Sequence, residues 1–172
     1  MTDAAGVVPL ARLFAMAFRS LVDSLHERLR ERGWDDVRPA FGFALLATRD
    51  APMTVTELAA LMGTTKQAAS KLAGAMLGAG YLEQAVGTDD GRQRPLRLSP
   101  RGRDLLAEVE RIYVELEAEW ATVIGAPALD RLRRDLRSAL IALHGGGLPA
   151  VRPTGGIPEG SQRGALVGIS EV

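Results

Sequence analysis

The chain contains no cysteine. Disulfide staples, thiolate zinc sites, cysteine nucleophiles and sensing by thiol oxidation are therefore all excluded. Histidine is scarce: His26 and His144 are the only two, and they lie far apart. No metal-ligand spacing results, and no metal or other cofactor is expected. The sequence also lacks any run of about 20 apolar residues, the length a membrane-spanning helix needs. Its opening, "VVPLARLFAMAF", is apolar but holds Arg12 and lacks a basic leader or a cleavage site. A cytoplasmic protein with no membrane partner is expected. No nucleophile–base pair, phosphate-binding loop or carboxylate constellation is visible, so the sequence does not read as an enzyme.

What is present is an ordinary globular composition, 47% apolar and 24% charged over 172 residues. The formal net charge of zero conceals an asymmetry. From Thr54 to Arg103 there are seven basic and four acidic residues, a net +3, so the remainder carries −3. A polyanion would bind at the positive segment.

Periodicity orders the chain as four helices, a hairpin and two helices. Leu10, Leu13, Phe14, Ala17, Leu21 and Leu25 follow the helical period. That first helix should stop near Gly33. Pro39 is suited to open a second, because the first helical residue needs no N–H. "TVTE" at Thr54–Glu57 fits a capping box before a short third helix that ends at Gly63. Thr64 or Thr65 should cap the fourth, with Thr64 and Gln67 forming a second box, and Gly80 should close it. "YLEQAV" and "PLRLS" read as short strands around the turn segment "GTDDGRQR". Pro95 cannot donate to a ladder and is expected to face an edge. Helical period resumes at Leu105 and, after "GAP", again from Leu129 to Leu143. Residues 145–172 are rich in Gly and Pro and read as a flexible tail. The fold class is mainly α (α+β): a winged helix-turn-helix lobe at 39–100 between long helices at 9–32 and 101–144.

The fourth helix, in "GTTKQAASKLAGAMLGAGYL", is built of small residues with its lysines in the leading turns. Two short helices joined by a Gly-containing turn signal a helix-turn-helix, whose second helix enters the DNA major groove. Ala69, Leu72 and Met76 share a face that can pack on the domain. Thr65, Lys66, Gln67, Ser70 and Lys71 are the candidate DNA-binding residues on this helix. Lysine can neutralise phosphate or reach guanine, and Gln67 has the donor–acceptor pair that suits adenine. Gly74 and Gly78 each cost about 1 kcal/mol relative to Ala, which close packing on the preceding helix would justify. A basic hairpin after this motif makes a winged helix, with arginines placed to enter the minor groove.

The run from Thr54 to Leu106, above all "DGRQRPLRLSPRG", resembles the multiple-antibiotic-resistance regulator (MarR) family of bacterial transcription factors. The resemblance implies a homodimer that binds a double-stranded DNA operator as a repressor and is released by a small, aromatic or phenolic ligand. It also implies that Arg92 is the wing arginine of the minor groove. Asp90 then either orients Arg92 or simply forms the turn. Arg94 and Arg97 are expected on phosphates. In related proteins the pocket lies between the dimer base and the reading lobe, which makes His26, Trp34, Phe41, Phe43 and Tyr113 the candidates here.

Half-sites on DNA lie about 34–36 Å apart per helical turn, so one lobe cannot read both. The helices outside the lobe are expected to build the dimer base. Asp104–Trp120 is acidic, and the last helix carries Arg131, Arg133, Arg134 and Arg137. These faces are expected either to pair, within or between chains, or to remain solvated. The alternative to an operator-reading repressor is a winged helix used for architectural DNA binding or protein contact.

Overall fold

A computed structural model describes residues 7–85 and 94–149. The elements are α1 (Leu10–Glu31), α2 (Pro39–Ala47), α3 (Val55–Met62), α4 (Lys66–Gly78), β1 (Leu82–Gln84), β2 (Leu96–Leu98), α5 (Pro100–Ile124) and α6 (Ala126–Leu143). This is the winged-helix order. Most of the expected tail, from residue 150 on, lies outside the described residues.

Local chemistry explains the helix limits. The Thr54 hydroxyl accepts from the Glu57 N–H at 3.2 Å, and the Glu57 carboxylate accepts from the Thr54 N–H at 2.8 Å, completing the capping box. α3 ends at Gly63, whose φ of +63° is the left-handed conformation that glycine adopts at least cost. α1 and α4 end alike. Gly33 and Gly80 follow their C-caps, and the next residues, Trp34 and Tyr81, donate back to Leu29 and Met76 at 2.9 Å each.

β1 and β2 pair antiparallel, with Leu82 opposite Leu98, Glu83 opposite Arg97 and Gln84 opposite Leu96. Met53 joins the outer side of β2 through two hydrogen bonds to Leu96, each 2.8 Å. Pro95 does not face an edge. Its carbonyl accepts from Ala85 at 2.8 Å, so it faces the β1 side. Its missing N–H falls where the ladder ends, which is why it is tolerated.

One contiguous core joins lobe and base. Leu25 and Leu29 of α1 meet Leu105, Ile112 and Leu116 of α5, and the same cluster runs through Phe41, Leu58, Met76 and Tyr81 into the lobe. Each such side chain contributes about 1.5–3 kcal/mol by burial. The first half of α1 stays uncovered: Leu10 is 68% exposed, and Leu13 and Phe14 are also exposed. α6 packs on α5 yet buries none of its own residues completely.

The acidic face of α5 pairs mostly with α1 rather than with α6. Arg28 bonds Glu115 and Glu119, and Arg32 bonds Glu108 and Glu115 at 2.6 Å each. Of the four α6 arginines only Arg133 is paired among the described residues, with Glu117 and Asp130. The reason is register: α1 lies along the face of α5 that carries Glu108, Glu115 and Glu119.

Candidate nucleic-acid interface and adjoining cleft

α4 is capped by Thr65, whose hydroxyl accepts from the Ala68 N–H at 3.2 Å. The expected second box between Thr64 and Gln67 does not form. With Thr65 as the cap, the third helical position is Ala68, which has no side chain to reach back. The inner face of α4 is Ala69, Ala73 and Met76, all buried, with Leu72 beside them. Ala69 and Ala73 are small enough for α4 to lie close on the domain, which accounts for the small residues of its inner face.

The outer face carries Lys66, Gln67, Ser70, Lys71, Gly74 and Gly78, all exposed, with Thr65 exposed at its leading end. A Cβ added at Gly74 or Gly78 would meet nothing within 4 Å. Packing on the preceding helix therefore does not explain these glycines. They leave the backbone bare toward solvent on the face that presents Gln67 and Lys71.

The hairpin stands beside α4. Arg97 pairs with Glu83 directly across the ladder at 2.8 Å, and Arg94 donates to the Gln84 carboxamide at 3.0 Å. Both arginines are exposed at their tips but already partnered, so a phosphate would have to compete for them. Asp90 and Arg92 lie outside the described residues.

A second feature is a cleft of about 340 Å³ between α1, α2 and α5. Of the five aromatic and histidine candidates, His26, Phe43 and Tyr113 line it, and Trp34 and Phe41 do not. Residues two apart on a helix point to nearly opposite sides. Phe43 therefore faces the cleft, while Phe41 turns into the core against Tyr81, with ring centroids 5.9 Å apart. Trp34 also packs on Tyr81, at 6.2 Å.

The walls are otherwise apolar, including Phe18, Val22, Leu46 and Val109, apart from two charged residues, Arg38 and Glu110. Sequence reasoning missed both. The usable signal for Arg38 was its place before Pro39, which forces an extended backbone; its φ and ψ are −101° and 149°. Burial, then nearby Arg30, lowers the His26 pKa below its ordinary value, which favours the neutral imidazole. Burial, then Glu110, raises that of the Tyr113 phenol. The cleft is thus a largely apolar, aromatic-lined space with one cation and one anion at its walls.

Residues 43–93 match the sequence profile of the MarR family. No curated protein matches the sequence significantly. Among solved structures, Escherichia coli MarR in its apo form shares 21% identity at a TM-score of 0.66, over 78% of this chain and 98% of that one. A Mycobacterium tuberculosis MarR-family protein in complex with salicylic acid shares 22% at 0.61, again over 78% and 98%. A Staphylococcus aureus MepR mutant bound to an oligodeoxyribonucleotide shares 18% at 0.55, over 80% and 99%. Residues 43–93 are therefore similar in sequence to the MarR family, and the fold of the described residues is the one shared by solved MarR-family proteins.

Proposed function

We propose that the protein is a cytoplasmic, homodimeric transcriptional repressor that reads a palindromic DNA operator with α4 and the hairpin. A small aromatic or phenolic ligand in the cleft releases it. One observation carries the reading. α4 presents Lys66, Gln67, Ser70 and Lys71 on a single exposed face, with bare backbone at Gly74 and Gly78, inside the segment that matches the family. That face suits close approach to a major groove: Gln67 for adenine, the lysines for guanine or phosphate. The helix N-terminus adds partial positive charge toward phosphate. The oligonucleotide-bound MepR mutant and the salicylic acid complex support the DNA and ligand parts by likeness of fold. The uncovered apolar stripes of α1 and α6 support the dimer.

The test is binding of the full chain to its own upstream DNA and to an unrelated duplex at about 150 mM salt, where contacts to phosphate alone are weakened. Tight binding to the upstream DNA alone, relaxed in specificity by Gln67→Ala and weakened by Arg92→Ala, is expected. Each discriminating contact should be worth about 1–3 kcal/mol. Equal binding to both duplexes would sink the operator reading in favour of an architectural or protein-contact module.

A further inference from the structure

Between the DNA face and the cleft lies a cluster that belongs to neither. Tyr81, the third residue past α4, is completely buried. Its hydroxyl donates to the Asp36 carboxylate in the connection between α1 and α2. Arg101, at the start of α5, lies over two rings, 5.0 Å from the Tyr81 centroid and 5.5 Å from that of Trp34. Its guanidinium also reaches Asp36 at 3.7 Å. Trp34 and Tyr81 occupy equivalent positions. Each follows the glycine that closes its helix, and each N–H is bonded back into that helix, to Leu29 and Met76. The cluster therefore clasps the end of α1 to the end of α4. Immediately after Asp36, Val37 and Arg38 form part of the cleft wall.

We propose that the Trp34–Arg38 connection is the transmission element between the cleft and α4, with Asp36 clasped to Tyr81 on one side and Val37 and Arg38 facing a ligand on the other. The proposal rests on the ligand reading above. The connection is short and held at both ends, by the Trp34 backbone bond and by Pro39 opening α2. A displacement of Val37 and Arg38 by a ligand has little slack to absorb it, so it reaches Asp36. Tyr81 is equally fixed: its N–H is bonded to α4, and its carbonyl accepts from Ser99 at 3.1 Å. Movement of Asp36 then either turns the last turn of α4 or breaks the clasp. These are two discrete arrangements, as allosteric coupling requires. Tyr81 and Asp36 act as positioning residues and touch neither DNA nor ligand.

Hydrogen exchange on the full chain, without DNA or ligand, tests the coupling through its cross effects. Asp36→Ala should speed exchange within α4 at Leu72–Gly78. Tyr81→Phe, which keeps the ring and removes the hydroxyl, should speed it along the cleft wall at Val37–Leu46. A rise confined to the mutated side in both variants overturns the proposal. Salicylate, the ligand of the M. tuberculosis relative, is the probe for function. In the unaltered protein it should lower affinity for the upstream DNA by about tenfold, within the usual range of allosteric coupling. Tyr81→Phe should abolish that response while changing salicylate binding to the free protein by less than about twofold. A full response in Tyr81→Phe overturns the proposal. If the unaltered protein binds neither DNA nor salicylate, the repressor reading fails, and the exchange experiment still decides the coupling.

Discussion

At the scale of single residues, Gly102 shows how a motif position acquires a cause. The Ser-Pro-x-Gly signature places it in the first turn of α5, where its N–H donates to the Ser99 hydroxyl at 2.9 Å. A Cβ built there would lie 2.0 Å from the Tyr81 carbonyl oxygen and 3.3 Å from a Leu98 methyl. The obstacle is backbone that is itself bonded to Ser99, so it cannot give way cheaply. Gly102→Ala should destabilise the fold by about 3 kcal/mol or more, at the upper end of overpacking costs, as read by denaturant unfolding. An unchanged midpoint would show that α5 can shift away from Tyr81. Pattern matching could identify this glycine as a family position, but only the close approach of α5 to the end of α4 explains it.

At the scale of elements, the docking of α1 on α5 combines a leucine core with a charged margin. Glu115 sits below its ordinary carboxylate pKa, chiefly through its hydrogen bond from Arg32, with further help from Arg28. A lowered folded pKa means that this contribution is present at neutral pH. It is lost as pH falls below the ordinary carboxylate range toward the lowered value. Glu57, held down by the Thr54 backbone N–H, behaves alike at the start of α3. Acid should therefore loosen both the margin and the cap. In Arg32→Gln, the fall in melting temperature between neutral pH and about pH 3.5 should be smaller than in the unaltered chain. Equal acid sensitivity would mean that the Arg32–Glu115 pair adds nothing, as many exposed pairs do. The charge runs on α5 and α6 were legible in the sequence. Their pairing was not, because which helix lies along which face is decided by packing.

At the scale of the whole molecule, two apolar stripes are left without cover among the described residues. Leu10, Leu13, Phe14 and Phe18 are exposed on α1, and Leu132 and Leu136 on α6. Both helices pack against α5, so the stripes belong to the helical base rather than to the reading lobe. In the proposed dimer a second copy covers them. Leu132→Glu with Leu136→Glu should then turn the dimer into a monomer in sedimentation and lower operator affinity by at least about 100-fold, the gain that linking two modules provides. A double variant that remained dimeric would move the interface away from α6. The periodicity of α1 announced an amphipathic helix of the right length. It could not say that only the second half of the stripe would meet α5.

The features that the sequence determined by itself are those whose physics is local. Capping side chains, helix-closing glycines, the proline that opens α2 and the alternation of the two strands each act within a few residues, so the element order and most boundaries could be read directly. Tertiary structure decided everything that depends on which way a residue faces once the helices pack. It sent Phe41 to the core and Phe43 to the cleft, brought Arg38 and Glu110 to the cleft wall, turned Pro95 toward β1, and joined Asp36, Tyr81 and Arg101 across 65 positions of chain. Such contacts arise when long-range burial selects one packing among many that share the same local preferences, and no short window of sequence contains that choice.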